Sequence, residues 1–428
     1  MKNFQMNYGD KSLGFSLDEK NILQIIESNE YINDKSEEKV IEEAIKNPIG
    51  SPRLKELVHP GETVCVVIPD ATRTWQKTYK FLYKIVDELN EGGVDDKDIL
   101  FISALGTHRK QTEEEHRQLL GEKLSARFKV MDHDCYDKDN LKYMGQTTYG
   151  TPVWINKKAL ECDHIVLTGG IVYHFLVGWS GGKKYVLPGI SSYETVMANH
   201  ALSLSPKMGG GTHPNVRSGN IVNNPVHEDM LQAAAFVKPT FMFNVVMGPD
   251  GNIAGAVAGN YIEAHAKGRK LVDKIDGVQI KEKADVVIAT AGGYPKDINL
   301  YQSIKTFINA REAAKEGGTI IAVTECREGL GGNEEVQNMI LNYNTLLDRE
   351  KALREDYSIS KFVGYYVCET AEKFNFILVS KLDPKLVEKA NITVVDSIEK
   401  ALDLVKKTKG DNLSVHLMPH AANTFPKL

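Results

Sequence analysis

The stretch TVCVVIPDATRTWQKTYKFLYKIVDEL, residues 63–89, contains one complete strand-loop-helix unit in its residue order. Thr63 to Pro69 is a short β-branched run, and after the polar turn Asp70-Ala-Thr-Arg73-Thr the apolar residues Phe81, Leu82, Ile85, Val86 and Leu89 recur at helical spacing. The pattern then repeats. Ile99 to Leu105 is a second apolar run, and Thr112 with Glu115 forms a capping box that opens a helix through Leu120. A third run, Ile165 to Leu167, enters a Gly-Gly turn, and Ser191 with Glu194 predicts another capping box for a helix reaching about Leu202. Strand-then-helix order predicts an α/β fold whose mainly parallel sheet is flanked by helices.

Further along, the text from Asn252 is rich in Ala and Gly and reads as helical to about Asp273. The lysine-rich segment Lys281 to Lys283 then precedes a new strand, Val286 to Ala291. Strands at Ile320 to Val323, Phe376 to Val379 and Ile392 to Val395 alternate with helical patterns such as Ile398 to Lys407, so a second, smaller α/β domain is expected. The predicted division is an N-terminal domain of residues 1–275, rejoined by residues 411–428 through a last strand at Ser414 to Pro419, and a C-terminal domain of residues 276–410. A length of 428 residues suits two or three domains, and no repeat at a solenoid period is present.

Composition narrows the chemistry. Lys+Arg 52 against Asp+Glu 57 gives 52 − 57 = −5, too balanced and too acidic for a nucleic-acid groove or an anionic membrane surface. Hydrophobic content of 42% with 25% charged residues belongs to a globular enzyme rather than a disordered or fibrous chain. The longest suspect run, His164 to Trp179, carries two His and three Gly and is shorter than the roughly 20 apolar residues that a membrane span needs. Met1 to Leu13 lacks the apolar core of a secretory signal, so a cytoplasmic protein without a membrane partner is expected. Cys65, Cys135, Cys162, Cys326 and Cys368 are far apart without a CxxC pair and read as reduced thiols.

Two common nucleotide signatures fail. No GxGxxG follows a strand, and Gly182-Lys183 has Val177 where a P-loop needs glycine and Lys184 where it needs Ser or Thr. Unusual polar residues instead stand just after strand ends, where open parallel sheets bind ligands. Asp70 and Arg73 follow the first strand, and an arginine there can fork onto a carboxylate or phosphate or simply close a local ion pair. His108, in Gly106-Thr107-His108, follows the second, placed to act as an acid or base or merely as a solvated loop residue. The densest group is Tyr173-His174, then Ser180-Gly181-Gly182-Lys183-Lys184, then Pro188-Gly189-Ile190. Its lysines are bracketed by Trp179, Tyr185, Val186 and Leu187, an apolar setting that should turn one amine inward.

His200 ends the next helix as either a C-terminal cation or a metal ligand. In the second domain Tyr301-Gln302-Ser303-Ile304-Lys305 puts Gln302 and Lys305 three apart on one helix face, able to hold a carboxylate or to face solvent. Asp132-His133-Asp134-Cys135 looks metal-like but lacks spaced partners, while His213 and His227 sit in loop and loop-edge segments without a matching motif. Tyr365 and Tyr366 suit either a lid over a small substrate or ordinary core.

Taken together, DATRT, GTH, YH, SGGKK, the PGI that follows, NH and YQSIK resemble the nickel-dependent lactate racemase family, with the motifs in family order across both domains. The resemblance implies a nickel-pincer nucleotide, a pyridinium mononucleotide with sulfur-bearing arms. It would be tethered as a thioamide to Lys184, ligated through nickel by His200, and bound further by Asp70, Gly181 and Gly182. It implies His108 and His174 as paired acid/base residues, and Arg73, Tyr301, Gln302 and Lys305 as the grip on a small 2-hydroxyacid in an inter-domain cleft. The N-terminal domain would then bind the cofactor, and the partners would be cofactor-maturation proteins including a nickel inserter. The implied reaction is racemisation of lactate by proton-coupled hydride transfer through pyruvate, or of another 2-hydroxyacid by the same apparatus. Two readings from other classes stand beside it: a metal hydrolase or lyase using His108, His174 and His200 on one ion, and a non-catalytic sugar-acid binding protein.

Overall fold

A computed structural model of the chain describes residues 1–32 and 34–428. They form two compact units, one built from residues 30–203 and 214–275 and the other from residues 1–29, 204–213 and 276–428. Both are α/β with mostly parallel sheets flanked by helices. Among the described residues no helix is long and apolar enough to cross a membrane.

The first unit is organised on a six-stranded sheet in the order Ile253–Gly259, Phe241–Met247, His164–Gly170, Val64–Pro69, Ile99–Ala104, Val130–Asp132. All neighbours are parallel except the first pair. Val64–Pro69 lies near the centre with every residue buried, which is why its sequence is a continuous apolar run rather than an alternation. The helix Leu82–Glu91 turns Leu82, Ile85, Val86 and Leu89 inward as their spacing predicts, and Phe81 packs on Phe243 with ring centroids 4.8 Å apart. Thr112 and Glu115 close the expected capping box at the head of the helix Glu113–Ser125.

Two local expectations give way to stronger interactions. The cap of the helix Tyr193–Ala201 is Ser192, whose side chain accepts from Thr195 N–H, while Ser191 turns back to donate to Val186 O at 2.8 Å. The Ala- and Gly-rich text from Asn252 is not helical at its start: Ile253–Gly259 is an edge strand paired antiparallel to Phe241–Met247, and the helix begins at Glu263. Small residues carry little period of their own, so pairing with a neighbouring strand decided the outcome.

The second unit holds a six-stranded parallel sheet in the order Ile392–Val395, Asn375–Val379, Ala314–Val323, Ala284–Thr290, Val415–Met418, Ile22–Ile25. Residues 411–428 therefore do not rejoin the first domain, and residues 1–29 do not belong to it. Val415–Met418 inserts beside Ala284–Thr290, and the Asp285 carboxylate accepts from Ser414 N–H at 3.0 Å and from its hydroxyl at 2.6 Å. A fully buried four-residue strand needs both faces covered, and this position supplies that. Tyr365 and Tyr366 are interior residues of the helix Ile359–Lys373, with the Arg311 guanidinium 4.5 Å from the Tyr366 ring, so the core reading holds for both.

Phe243→Ala removes a fully buried ring from the centre of the first unit. Its expected effect is a loss of about 3–5 kcal/mol in the urea transition that reports on that unit, with unchanged far-UV circular dichroism before the transition.

Candidate functional site

The parallel register of the first sheet brings three strand ends together. Val64–Pro69 is hydrogen-bonded on one side to Ile99–Ala104, with Pro69 opposite Ala104, and on the other to His164–Gly170. The residues that follow these strands, Asp70, His108 and His174, thus emerge at the carboxyl edge of adjacent strands.

Asp70 caps the turn after its strand by accepting from Thr72 N–H at 2.7 Å, and its other oxygen lies 2.9 Å from His108 Nδ1. A carboxylate only accepts, so Nδ1 carries the proton and the lone pair of His108 is on Nε2, on a side chain that is half exposed. Burial alone would raise the Asp70 carboxyl; the hydrogen bond and charge of His108 and the charge of Arg73 overcome it and hold the group below the usual carboxylate range. Gln111 ties the turn down: its side-chain carbonyl accepts from Ala71 N–H, and its amide donates to Ser103 Oγ at 2.8 Å and Asp132 Oδ1 at 2.9 Å. Arg73 is exposed on this turn.

The Gly-Gly-Lys-Lys segment forms a single tight turn, Gly182–Tyr185. Gly181 and Gly182 have φ of +81° and +53°, and Asn244 Oδ1 accepts from Gly182 N–H at 2.9 Å. Both glycines are therefore accounted for by the backbone path that aims the lysines. Lys184 Nζ lies 2.9 Å from His174 Nε2, and His174 Nδ1 accepts from Leu176 N–H at 3.2 Å. With Nδ1 occupied as an acceptor, the neutral ring's proton is on Nε2, and the hydrogen bond to Lys184 requires a lone pair on the lysine nitrogen. Lys184 is thereby held as a neutral amine. Burial and the neighbouring Arg73 charge act in the same direction and push its pKa down to about 7.

His200, near the end of Tyr193–Ala201, is buried, and its Nδ1 lies 2.9 Å from Val196 O. A carbonyl fixes the proton on Nδ1 and leaves the Nε2 lone pair available, the tautomer a metal-binding imidazole uses. Burial pushes its pKa down to about 3, and any residual charge on the nearby Lys184 acts the same way, so the ring is neutral at any physiological pH. Asn199 anchors this helix end by donating to Asp229 Oδ2 at 2.8 Å and to Val226 O at 3.1 Å, and Asp229 is itself bonded by Thr147 and Thr151.

The structure thus gathers Asp70, Arg73, His108, His174, Lys184 and His200 in one unit, linked by hydrogen bonds and mutual charge effects. Tyr301, Gln302 and Lys305 belong to the other unit, on the helix Leu300–Ala313, where Asn299 caps the first turn and Gln302 and Lys305 are both exposed on one face. Gln111, Asn244 and Asp229 were not singled out in the sequence because side chains that hold a turn carry no motif; Gln111, three residues past His108, was the nearest to one. His133, in the metal-like DHDC segment, is bonded through Nε2 to Ser191 O at 2.9 Å and through Nδ1 by Asn156 at 3.1 Å. Among the described residues no three His, Cys, Asp or Glu side chains come together to hold a metal ion, so His108, His174 and His200 do not form the three-ligand site of a hydrolase.

Comparison with known proteins gives one consistent result. Residues 8–211 match the family model of the lactate racemase N-terminal domain, and residues 279–424 that of the lactate racemase C-terminal domain. A lactate racemase of Thermoanaerobacterium thermosaccharolyticum is 35% identical over 334 residues, covering 78% of this chain and 76% of the relative. One from Lactiplantibacillus plantarum is 30% identical over 98% of both chains. The solved lactate racemase apoprotein of T. thermosaccharolyticum superposes with a TM-score of 0.89 at 30% identity, covering all of both chains. A Thermotoga maritima structure at 20% identity shares the fold, with a TM-score of 0.64 over 94% of this chain and all of its own.

The neutral Lys184 amine predicts a chemical signature in the apoprotein. Pulse acylation with acetic anhydride followed by peptide mass spectrometry should give a Lys184 reactivity that rises with a midpoint near pH 7, against about 10 for exposed lysines. A Lys184 midpoint near 10 would contradict the hydrogen-bond assignment.

Proposed function

The chain belongs to the lactate racemase family and is an isomerase, and on that premise we propose that it interconverts D- and L-lactate at the site built on Lys184 and His200. The observation that carries this reading is the convergence of a neutral lysine amine, a neutral imidazole with a free Nε2 lone pair, and two further histidines with defined tautomers.

Those residues fit a nickel-pincer nucleotide. Lys184 is already in a form that can be acylated and would hold the group covalently, and the His200 Nε2 lone pair would hold its nickel, a metal that imidazole nitrogen suits. When bound, such a group would supply a two-electron acceptor for the hydrogen on C2 of lactate. Asp70 and the main chain of its turn, with Gly181 and Gly182, belong to the proposed cradle.

The chain's own residues handle the proton. His108 takes or returns the hydroxyl proton at Nε2, while Asp70 holds Nδ1–H and stabilises the imidazolium that forms. His174 is the proposed counterpart for the mirror-image alcohol: to accept that proton at Nε2 it must first give up the Nε2 proton that it now donates to Lys184. Two bases are required because the hydroxyl of each enantiomer reaches the same C2 position from a different side. Arg73, Gln302, Lys305 and Tyr301 are the proposed grip on the carboxylate: a guanidinium forks onto two oxygens, and an amide and an ammonium three residues apart can hold a carboxylate between them. A cytoplasmic location and dependence on cofactor-maturation proteins, including a nickel inserter, are part of the same proposal.

Protein matured in a host that builds the cofactor should convert either lactate enantiomer to the racemate by chiral chromatography. His108→Ala and His174→Ala should each lower kcat at least about 100-fold while keeping the lysine adduct by intact mass and the nickel by elemental analysis. Lys184→Ala should lose the adduct, and His200→Ala the nickel. Near-normal turnover in both His108→Ala and His174→Ala would remove the two-base scheme. Full activity with an unmodified mass would remove the tethered cofactor.

A further inference from the structure

Lys183 faces a different set of groups from its neighbour. It is 2% exposed and its Nζ has no hydrogen-bond partner. Two more buried donors lie in the same region, also without partners: the Trp179 indole Nε1 and the Arg269 Nε, with the guanidinium 5.4 Å from the Trp179 ring. The charges of Lys183 and Arg269 both act on His227 and His265, adding to burial to hold these imidazoles well below the ordinary histidine range. His265 Nε2 donates to Ser180 O at 2.7 Å. His227 gives its single ring proton to the Val177 carbonyl and leaves a buried, unpartnered Nδ1 lone pair. The Asp273 carboxylate offsets Arg269 and already accepts from the Tyr173 hydroxyl at 2.5 Å.

The imbalance is chemical. Even as a neutral amine Lys183 has two N–H groups, and the indole and the guanidinium Nε have one each, so four donors stand against two lone pairs, those of the amine and of His227 Nδ1. Buried donors without acceptors are rare in native proteins because each forfeits its hydration. We propose that the cluster of Trp179, Lys183 and Arg269, beside His227, is a buried binding site for a small oxyanion, inorganic or carboxylate, separate from the Lys184 and His200 site. A compact anion with several acceptor atoms satisfies the orphaned N–H groups together and favours the protonated form of Lys183. It is then a structural ligand behind the turn that aims Lys184. This inference stands apart from the racemase reading, since it concerns the apoprotein.

The test is the melting temperature of the full-length apoprotein titrated with sodium phosphate or sodium acetate at constant ionic strength, with the bulky sulfonate HEPES as the balancing anion. A saturable rise of about 3 °C at roughly ten times the apparent Kd is expected from one or both anions, lost in Lys183→Met and weakened in Arg269→Gln. Phosphate alone would define an inorganic site and acetate alone a carboxylate site. Crystals grown with selenate, or with bromoacetate if acetate alone acts, should show an anomalous peak among the four side chains, which keeps the test independent of whether the variants fold. The absence of any saturable effect beyond HEPES, an unchanged effect in Lys183→Met, or crystals without that peak would overturn the proposal.

Discussion

A lysine amine withdrawn from water and given no carboxylate gives up its proton far more readily, near neutral pH instead of near 10, and the candidate site is organised around that constraint. Lys184 meets an imidazole N–H and the charge of Arg73, and no carboxylate among the described residues pairs with it. The same withdrawal holds His200 neutral with its lone pair on Nε2. A single compensating carboxylate near Lys184 would restore the ammonium, reverse the His174 hydrogen bond and charge the surroundings of His200. The site's acid, Asp70, is instead bonded to His108, where it fixes the ring proton on Nδ1 and leaves the lone pair on Nε2.

The sheet makes this arrangement possible. Neighbouring parallel strands end at one edge, so residues 38 positions apart, Asp70 and His108, meet without any local sequence relation. The third strand end then supplies His174 and the Gly-Gly turn. Rigidity comes from behind: Asn244 on the adjacent strand Phe241–Met247 holds Gly182, and Gln111 bridges the Asp70 turn to Asp132 at the end of the next strand. Asp70 and His108 follow strand ends, His174 is in the short strand Tyr173–His174 paired with Gly178–Trp179, and the turns that hold Asp70 and Lys184 are bonded to elements of the sheet, the arrangement that keeps such residues in a fixed geometry.

Much of this was legible in the sequence because it rests on local signals. The apolar run at Val64–Pro69, the helical spacing from Phe81 to Leu89 and the Thr112–Glu115 box each reflect interactions within a few residues, and each formed where expected. What failed was decided at long range. Ile253–Gly259 reads as helix from its Ala and Gly content, yet Phe241–Met247 offered it hydrogen bonds, and Val415–Met418 found its neighbours in Ala284–Thr290 and Ile22–Ile25. The motif residues could be picked out singly, whereas Gln111, Asn244 and Asp229 could not, since their importance lies in distances that only the folded chain defines.

The doubled lysine illustrates what folding adds to a motif. In sequence, Lys183 and Lys184 are chemically equivalent, and only spacing to Ser-Gly-Gly and Pro-Gly favours the second. In the folded turn their environments diverge. Lys183 is sealed among Trp179, His227, His265 and Arg269, a cationic and imidazole setting in which its amine has no partner. Lys184 keeps partial access and is hydrogen-bonded by a proton donor beside a metal-competent imidazole. Both amines lose their protons readily, but a nucleophile must also be reachable by the group it attacks. Accessibility, rather than acidity, therefore supports Lys184 as the point of attachment, and the tight turn set by Gly181 and Gly182 is what separates two adjacent side chains into an open site and a closed one.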